Sequence, residues 1–380
     1  MSRLVTVYDD KEPLNNVISA LSLKVDEVFY VYHHDVSKNH FINIQKVIKK
    51  YKNIKTRFIK LVEDEKEINQ FIKNSKTTIV DVGGGKYLSL LLFEMAIKNG
   101  NRIIYYDDEE NVIKSYREHK ETKTKVFKLQ IDDVLKLRGG VIQSYMHQSA
   151  NDPITRKIIL DVVEQNIDRY PVFIRYITKL NSILNGCRNN GGKIFYLSKD
   201  NIRNIKTDSC YKKSTSLFSI DDEKLIFKTS KLRELVMVSG AFLENYLFIK
   251  LNESKKFDDV KMSAVIDFSD DKYIQPVRCE IDCLIIKDNR TLFVSCKSSK
   301  ADTDALNEIY AHNSKFGNAL SKPVLCIAEE MDEKFPSIYA KAEELGIYII
   351  DRSSFHKSVS SSFEKIINNN YKYDTLKNNL

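Results

Sequence analysis

In the stretch EIDCLIIKDNRTLFVSCKS, Glu280 to Ser298, acids and a lysine recur at alternate positions around a short polar turn. A strand's period of two puts Glu280, Asp282 and Leu284 on one face and Ile281, Cys283 and Ile285 on the other. On a second strand, Phe293, Ser295 and Lys297 share a face, and Asp288 to Arg290 make the turn. If the two polar faces coincide, Asp282 lies near Lys297 in a compact group of carboxylates plus one ammonium. Mg2+ and Mn2+ take oxygen ligands, commonly one or two carboxylates completed by water and substrate phosphate. An ion held there polarises a phosphate and lowers the pKa of a bound water, and the lysine steadies the developing charge. The plainer reading is a surface ladder of Glu, Asp and Lys joined by cross-strand ion pairs. Glu244 is a further acid, set in the apolar helical run GAFLENYLF beside Leu243, Tyr246 and Leu247. Acids rarely face a core without a partner. Lys250 lies beyond i,i+4 reach, so Glu244 is expected to point at the same site.

A second constellation is DVGGGKYLSL, between a buried strand and a helix. Gly83, Gly84 and Gly85 allow close backbone approach and positive φ, and the helix start offers free N–H groups and a positive dipole end. Lys86 adds charge. The pattern is neither GxGxxG nor a P-loop, so a dinucleotide is disfavoured, while a phosphate or nucleotide suits it better than a bare tight turn. Asp9, Asp10 and Lys11 follow the first strand and Asp107 and Asp108 a later one, at the same sheet edge. For these residues, capping and loop charge are the simpler explanation.

Other groups carry less. His33 and His34 follow a strand, where neighbours point to opposite sides, so a joint ligand pair is not expected. Cys279 and Cys283 share a face with Ile281 and read as buried thiols, since no second ligand pair accompanies them. Tyrosines could stack on bases but suit core and interface positions, and the run KVIKKYKNIK reads as a solvated helix face. A net charge of +8 permits a polyanionic partner without demanding one. None of the cysteines forms a CxxC pair, the start MSRLVTVYDD lacks a signal-peptide core, and no apolar run approaches the ~20 residues that span a bilayer. The expectation is a soluble cytoplasmic protein with reduced thiols and no membrane contact.

The elements that must position these residues form an α/β chain. Strands LVTVY, EVFYVYH, TRFIKLV, TTIVDV and RIIYYD alternate with amphipathic helices, including KEINQFIKN, which predicts a Rossmann-like domain with a parallel sheet over residues 1–150. Residues 151–225 read as a helical connector with a small add-on around KIFYL, a candidate dimer element. Residues 226–380 open with a helix over SKLRELVMVSGAFLENYLFIKLNE. Strands SAVIDF, EIDCLII, TLFVSCK, PVLCIAE and IYIID and the helix SIYAKAEELG come after it. Together they predict a second α/β domain with a mixed sheet.

Glu244, Asp282, the hairpin and the SCK of Ser295 to Lys297 resemble a PD-(D/E)xK nuclease core, a restriction-endonuclease-like fold. The first domain, with Gly83-Gly84-Gly85-Lys86, YYDDEENVI and LQIDDVLKLRGG, resembles a CARF domain. In that order, and over essentially the whole chain, the pair is similar to the Can2/Card1 type of type III CRISPR ancillary nucleases. The resemblance implies a homodimer that binds cyclic tetra-adenylate as an allosteric activator, through Gly83, Gly84, Gly85 and Lys86 with Asp9, Asp10 and Lys11 nearby. It implies metal-dependent cleavage of single-stranded RNA or DNA, with nicking of duplex DNA as a further possibility. Glu244, Glu280 and Asp282 would bind Mn2+ or Mg2+, Lys297 would assist the water or leaving group, and Ser295 would line the site. The departure is Ser295, where the pattern expects a carboxylate. Either Glu280 supplies the missing charge, or Asp282, Glu244, a backbone carbonyl near Cys296 and waters hold the metal. The remaining alternative is an inactive nuclease-like domain, which leaves a cyclic-oligonucleotide sensor. Retained activity is expected, because Asp282 and Lys297 remain.

Overall fold

The computed structural model of the chain describes residues 2–61, 68–69, 72, 77–84, 87–117, 120–145, 152–238, 240–268, 277–299, 301–331 and 335–369. The chain divides into two compact units. One comprises Met1–Ile142, Asp267–Arg278 and Ser314–Leu320; the other comprises Gln143–Ile266, Cys279–Asn313 and Ser321–Leu380.

The first unit is built on strands β1 (Arg3–Val7), β2 (Glu27–Tyr32), β3 (Lys55–Lys60), β4 (Thr78–Asp81), β5 (Arg102–Asp107), β6 (Val112–Arg117) and β7 (Lys120–Lys125). Their order in the sheet is β3-β2-β1-β4-β5-β6-β7. The first five are parallel, and β6 and β7 add an antiparallel hairpin at one edge. Parallel strands are covered on both faces, which accounts for the complete burial of Val5, Val31, Val80 and Ile104. The helices are α1 (Pro13–Ser22), α2 (Lys38–Tyr51), α3 (Tyr87–Lys98) and α4 (Ile131–Leu137). Most of the helix expected over KEINQFIKN lies outside the described residues. The strand order reverses between β1 and β4, so the loops after these strands border the crevice where doubly wound sheets take ligands.

The glycine turn sits at that crevice. A Cβ on Gly84 would stand 2.9 Å from Ser89 Oγ and 3.2 Å from Val7 Cβ. Gly84 is therefore required by the close approach of the β4 loop to the end of β1. Neither Gly83 nor Gly84 adopts a left-handed backbone, so the expected need for positive φ does not apply at these two positions.

The second unit carries the larger part of a six-stranded sheet in the order β17-β16-β15-β14-β13-β8. Its strands are β8 (Gly140–Ser144), β13 (Asp259–Phe268), β14 (Val277–Lys287), β15 (Arg290–Lys297), β16 (Lys322–Ile327) and β17 (Tyr348–Ile350). A smaller sheet, ordered β11-β12-β10-β9, is made by β9 (Asn189–Asn190), β10 (Ile194–Tyr196), β11 (Phe218–Asp221) and β12 (Lys224–Phe227). The helices are α5 (Pro153–Asn166), α6 (Tyr170–Asn185), α7 (Lys199–Lys206), α8 (Tyr211–Ser214), α9 (Ser230–Met237), α10 (Ala241–Ser254), α11 (Thr303–Phe316), α12 (Pro336–Glu344), α13 (Arg352–Lys357) and α14 (Val359–Ile367). One core runs from Val162 and Phe173 through Phe218 to Phe242, Val294 and Phe363. Residues 151–225 therefore share a core with the elements from α9 to α14; Phe173 meets Phe242 edge-on at 5.5 Å. The single helix expected through SKLRELVMVSGAFLENYLF is interrupted. Gly240, at φ 90, breaks it and starts α10.

Candidate active site

Strands β14 and β15 pair antiparallel from Lys287 opposite Arg290 to Cys283 opposite Val294. Asp288 and Asn289, at φ 51 and 64, form the two-residue loop, whose left-handed geometry matches the twist of a hairpin. Past the last pair, Asp282 Oδ2 accepts the backbone N–H of Cys296 at 2.7 Å and the hydroxyl of Ser295 at 3.3 Å. The residue across from Asp282 is thus Ser295, and Lys297 is one step further along. Lys297 is half-buried and makes no ion pair among the described residues. Its positive charge is felt at both Asp282 and Glu244.

Glu244 enters from the first turn of α10. Its Oε2 accepts the hydroxyl of Ser263 at 2.7 Å. Ser263 lies within β13 at φ 46, a left-handed conformation that is strained for a residue with a Cβ and typical of functional positions. Burial, and then the charge of Asp282, push the Glu244 carboxyl up to about 7; the Ser263 hydrogen bond opposes this, and Glu280 adds to it. Burial also raises Asp282, against the pull of the Cys296 N–H, Lys297 and Ser295. Two neighbouring carboxyls that resist joint ionisation offer oxygen donors whose repulsion a divalent cation offsets. Glu280 is exposed at the rim. Among the described residues, no three His, Cys, Asp or Glu are grouped closely enough to hold an ion by themselves. Glu244, Glu280 and Asp282 are therefore neighbours rather than a preformed cage.

The pocket at Glu280, Asp282 and Ser295 is closed on its other side by Glu308, Ile309 and His312 of α11. Sequence reasoning passed over this helix. Its signals were a capping acid, since Asp302 accepts the Ala305 N–H at 2.9 Å, and the spacing of the buried Ala305, Leu306, Ile309 and Phe316. Lys250 is occupied elsewhere, pairing with Glu164 at 2.6 Å.

In the first unit a cavity of 220 Å3 opens at the β1/β4 crevice, lined by Thr6, Asp9, Glu12, Asn15, Asn16, Asp81, Gly83, Gly84 and Tyr106. Asp81 shapes it. Its buried carboxyl, raised by burial, accepts the Gly83 N–H at 3.0 Å. Glu12 accepts the Ala319 N–H at 3.0 Å. Of the residues expected here, Asp9, Gly83 and Gly84 line the cavity, and Gly85 and Lys86 lie outside the described residues. Asp10 faces His34 at 3.6 Å, Lys11 is exposed beside Asp9, and Asp107 pairs with Lys114 at 2.5 Å. The described lining is acids, amides, two hydroxyls and glycine backbone, without a cationic side chain. His33 and His34 do not point apart as expected. The strand ends at Tyr32, and their rings meet edge-on at 5.1 Å in the bend after it. Cys279 and Cys283 are free thiols, half-buried and buried respectively.

Residues 232–353 match the family model described as "Card1-like, endonuclease domain". The fold of the whole chain is shared with protein VC1899 from Vibrio cholerae at TM-score 0.78 and 15% identity, covering 96% of this chain and 97% of that one. It is shared with Can2 from Sulfobacillus thermosulfidooxidans, solved in complex with cyclic tetra-adenylate, at TM-score 0.67 and 17% identity, covering 97% of each chain. A type III CRISPR defence DNA nuclease activated by cyclic oligoadenylate matches at TM-score 0.54 and 12% identity, over 94% of this chain and 51% of that one. No curated protein sequence matches the chain. The site thus lies within a Card1-like endonuclease domain. Residues 232–353 thus carry a Card1-like endonuclease domain, and the chain shares its fold with Can2. No helix among the described residues is long and apolar enough to cross a membrane.

Proposed function

We propose that the protein is a metal-dependent endonuclease switched on by cyclic tetra-adenylate, cutting single-stranded RNA or DNA and nicking duplex DNA in type III CRISPR antiviral defence. The observation that carries this is the convergence of Glu244, Asp282 and Lys297 within the Card1-like endonuclease domain. In this reading Asp282 and Glu244 hold Mn2+ or Mg2+, with Glu280 at the rim and Ser295 orienting Asp282. Water, backbone oxygen and substrate phosphate complete the shell, as is common for these ions. The ion would supply an activated water; Lys297 is placed to stabilise the charge that develops on the phosphate.

The activator reading is supported by the crevice at Gly83 and Gly84 and by the fold shared with Can2, whose structure holds cyclic tetra-adenylate. A ligand with four phosphates suits a two-fold site with one cradle per subunit. A homodimer is supported by α3, which directly follows the glycine turn and leaves Tyr87, Leu90, Phe93 and Ile97 exposed at 58%, 67%, 42% and 57%. Apolar stripes of this kind mark interfaces. Activation requires that the ring bind the active arrangement more tightly than the resting one.

The test is cleavage of labelled single-stranded RNA and DNA with Mn2+, with and without cyclic tetra-adenylate, beside Lys297→Ala. Cutting is expected to need both ring and metal and to fall on the order of a hundredfold or more in the variant. Ser295 favours one second reading, a cyclic-oligonucleotide sensor with an inactive nuclease-like domain. Tight ring binding without cutting would establish that reading instead.

A further inference from the structure

Position 295 holds a serine whose side chain is buried and donates to Asp282. It adds no negative charge to a site that must offset a divalent cation. In this pocket Asp282, Glu280 and Ser295 stand on the sheet side, Glu244 comes from α10, and an ion with an octahedral shell takes further donors still. The opposite wall is α11. Glu308 and His312, four apart in sequence, flank the buried Ile309 on the pocket side of that helix. Glu308 is exposed and, among the described residues, makes neither a hydrogen bond nor an ion pair. Its charge is felt at Asp282 and at His312. An acid without a counter-ion, facing a second acid across a pocket, costs stability unless a cation joins them.

We infer that Glu308 supplies, from the helix opposite, the carboxylate that the strand lacks at Ser295. This rests on the nuclease reading above. Glu308 meets the ion from across the pocket, directly or through one bound water, while Asp282 holds it from the sheet. The metal centre is then spread over a strand and two helices, α10 and α11, and its charge count is kept although the strand motif is incomplete.

The full-length protein is titrated with Mn2+ alone, followed by calorimetry and by the metal-induced rise in Tm, as parent, Glu308→Gln and the double variant Ser295→Glu/Glu308→Gln. Because residue 308 is exposed and its charge opposes that of Asp282, Glu308→Gln is expected to leave the metal-free Tm no lower than the parent's. It should bind Mn2+ about 10–100-fold more weakly and cut correspondingly less, and the double variant should recover both. Glu308→Gln binding Mn2+ like the parent overturns the inference, even if cutting is lost, because Glu308 would then act on substrate. Weakening without recovery in the double variant also overturns it. Failure of the parent itself to bind Mn2+ removes the nuclease reading together with this one, which separates the two.

Discussion

Glu244 is the residue whose chemistry is most altered by its surroundings. Its carboxyl is pushed from an ordinary 4.5 up to about 7 by burial and by Asp282. Between those values the folded protein holds a proton that the unfolded chain has released, so metal-free stability falls as pH rises through the window. Below pH 4.5 the penalty is absent; above about 7 it is fully imposed. Urea unfolding from pH 4 to 8 should show this slope in the parent and a shallower one in Glu244→Gln, where other raised carboxyls such as Asp282 remain. Saturating Mn2+ should flatten the parent's slope, because a bound cation favours the ionised carboxyl. The placement of Glu244 beside Asp282 was legible before the structure because an acid inside GAFLENYLF has no partner on its own helix. The hydroxyl that holds it was not, because Ser263 is an ordinary serine in sequence and becomes distinctive only through its left-handed backbone. The residue facing Asp282 was likewise open until the register fixed it as Ser295.

At the scale of elements, the hairpin could be read because alternation and a polar turn are local signals, and the five parallel strands because each is a short apolar run. The β6–β7 hairpin escaped, and of the small sheet β9–β12 only the strand in KIFYL was legible, since β7 is mostly exposed and polar and β9 spans only Asn189 and Asn190. Helix α11 escaped although its cap and apolar spacing were present, and with it went Glu308 and His312. The glycine turn was recognised, but its reason lay in a contact between β4 and β1 that no sequence pattern displays. That reason makes Gly84→Ala costly. The new methyl group must displace Val7 or Ser89, which by analogy with overpacked cores costs about 1–3 kcal/mol. The loss should be read as a lower urea midpoint, accompanied by weaker binding of cyclic tetra-adenylate.

At the scale of the molecule, the proposed homodimer makes α3 the element to test. Leu90→Glu with Phe93→Glu places two charges on its exposed face, and light scattering should report a monomer where the parent is a dimer. Because the changed side chains are exposed, the monomer should remain folded, and activation by the ring should be lost together with dimerisation. The order of the two α/β parts was readable from local patterns, but the way the chain is shared between them was not. The first unit takes back Asp267–Arg278 and Ser314–Leu320 from the later half of the chain, and such long-range returns leave no periodic mark on the residues that make them.

Within the first unit, that sharing brings Glu12 against a segment from the later half of the chain. Glu12 borders the ligand cavity and grips the backbone of Ala319. Ala319 lies only a short run of chain beyond α11, the helix that bears Glu308 and His312. The lining of the crevice is therefore joined, through one hydrogen bond and a few peptide links, to the helix that carries Glu308 and His312. In the proposed function, a ring that displaced Glu12 would pull on this link, and the pull would run along the covalent chain.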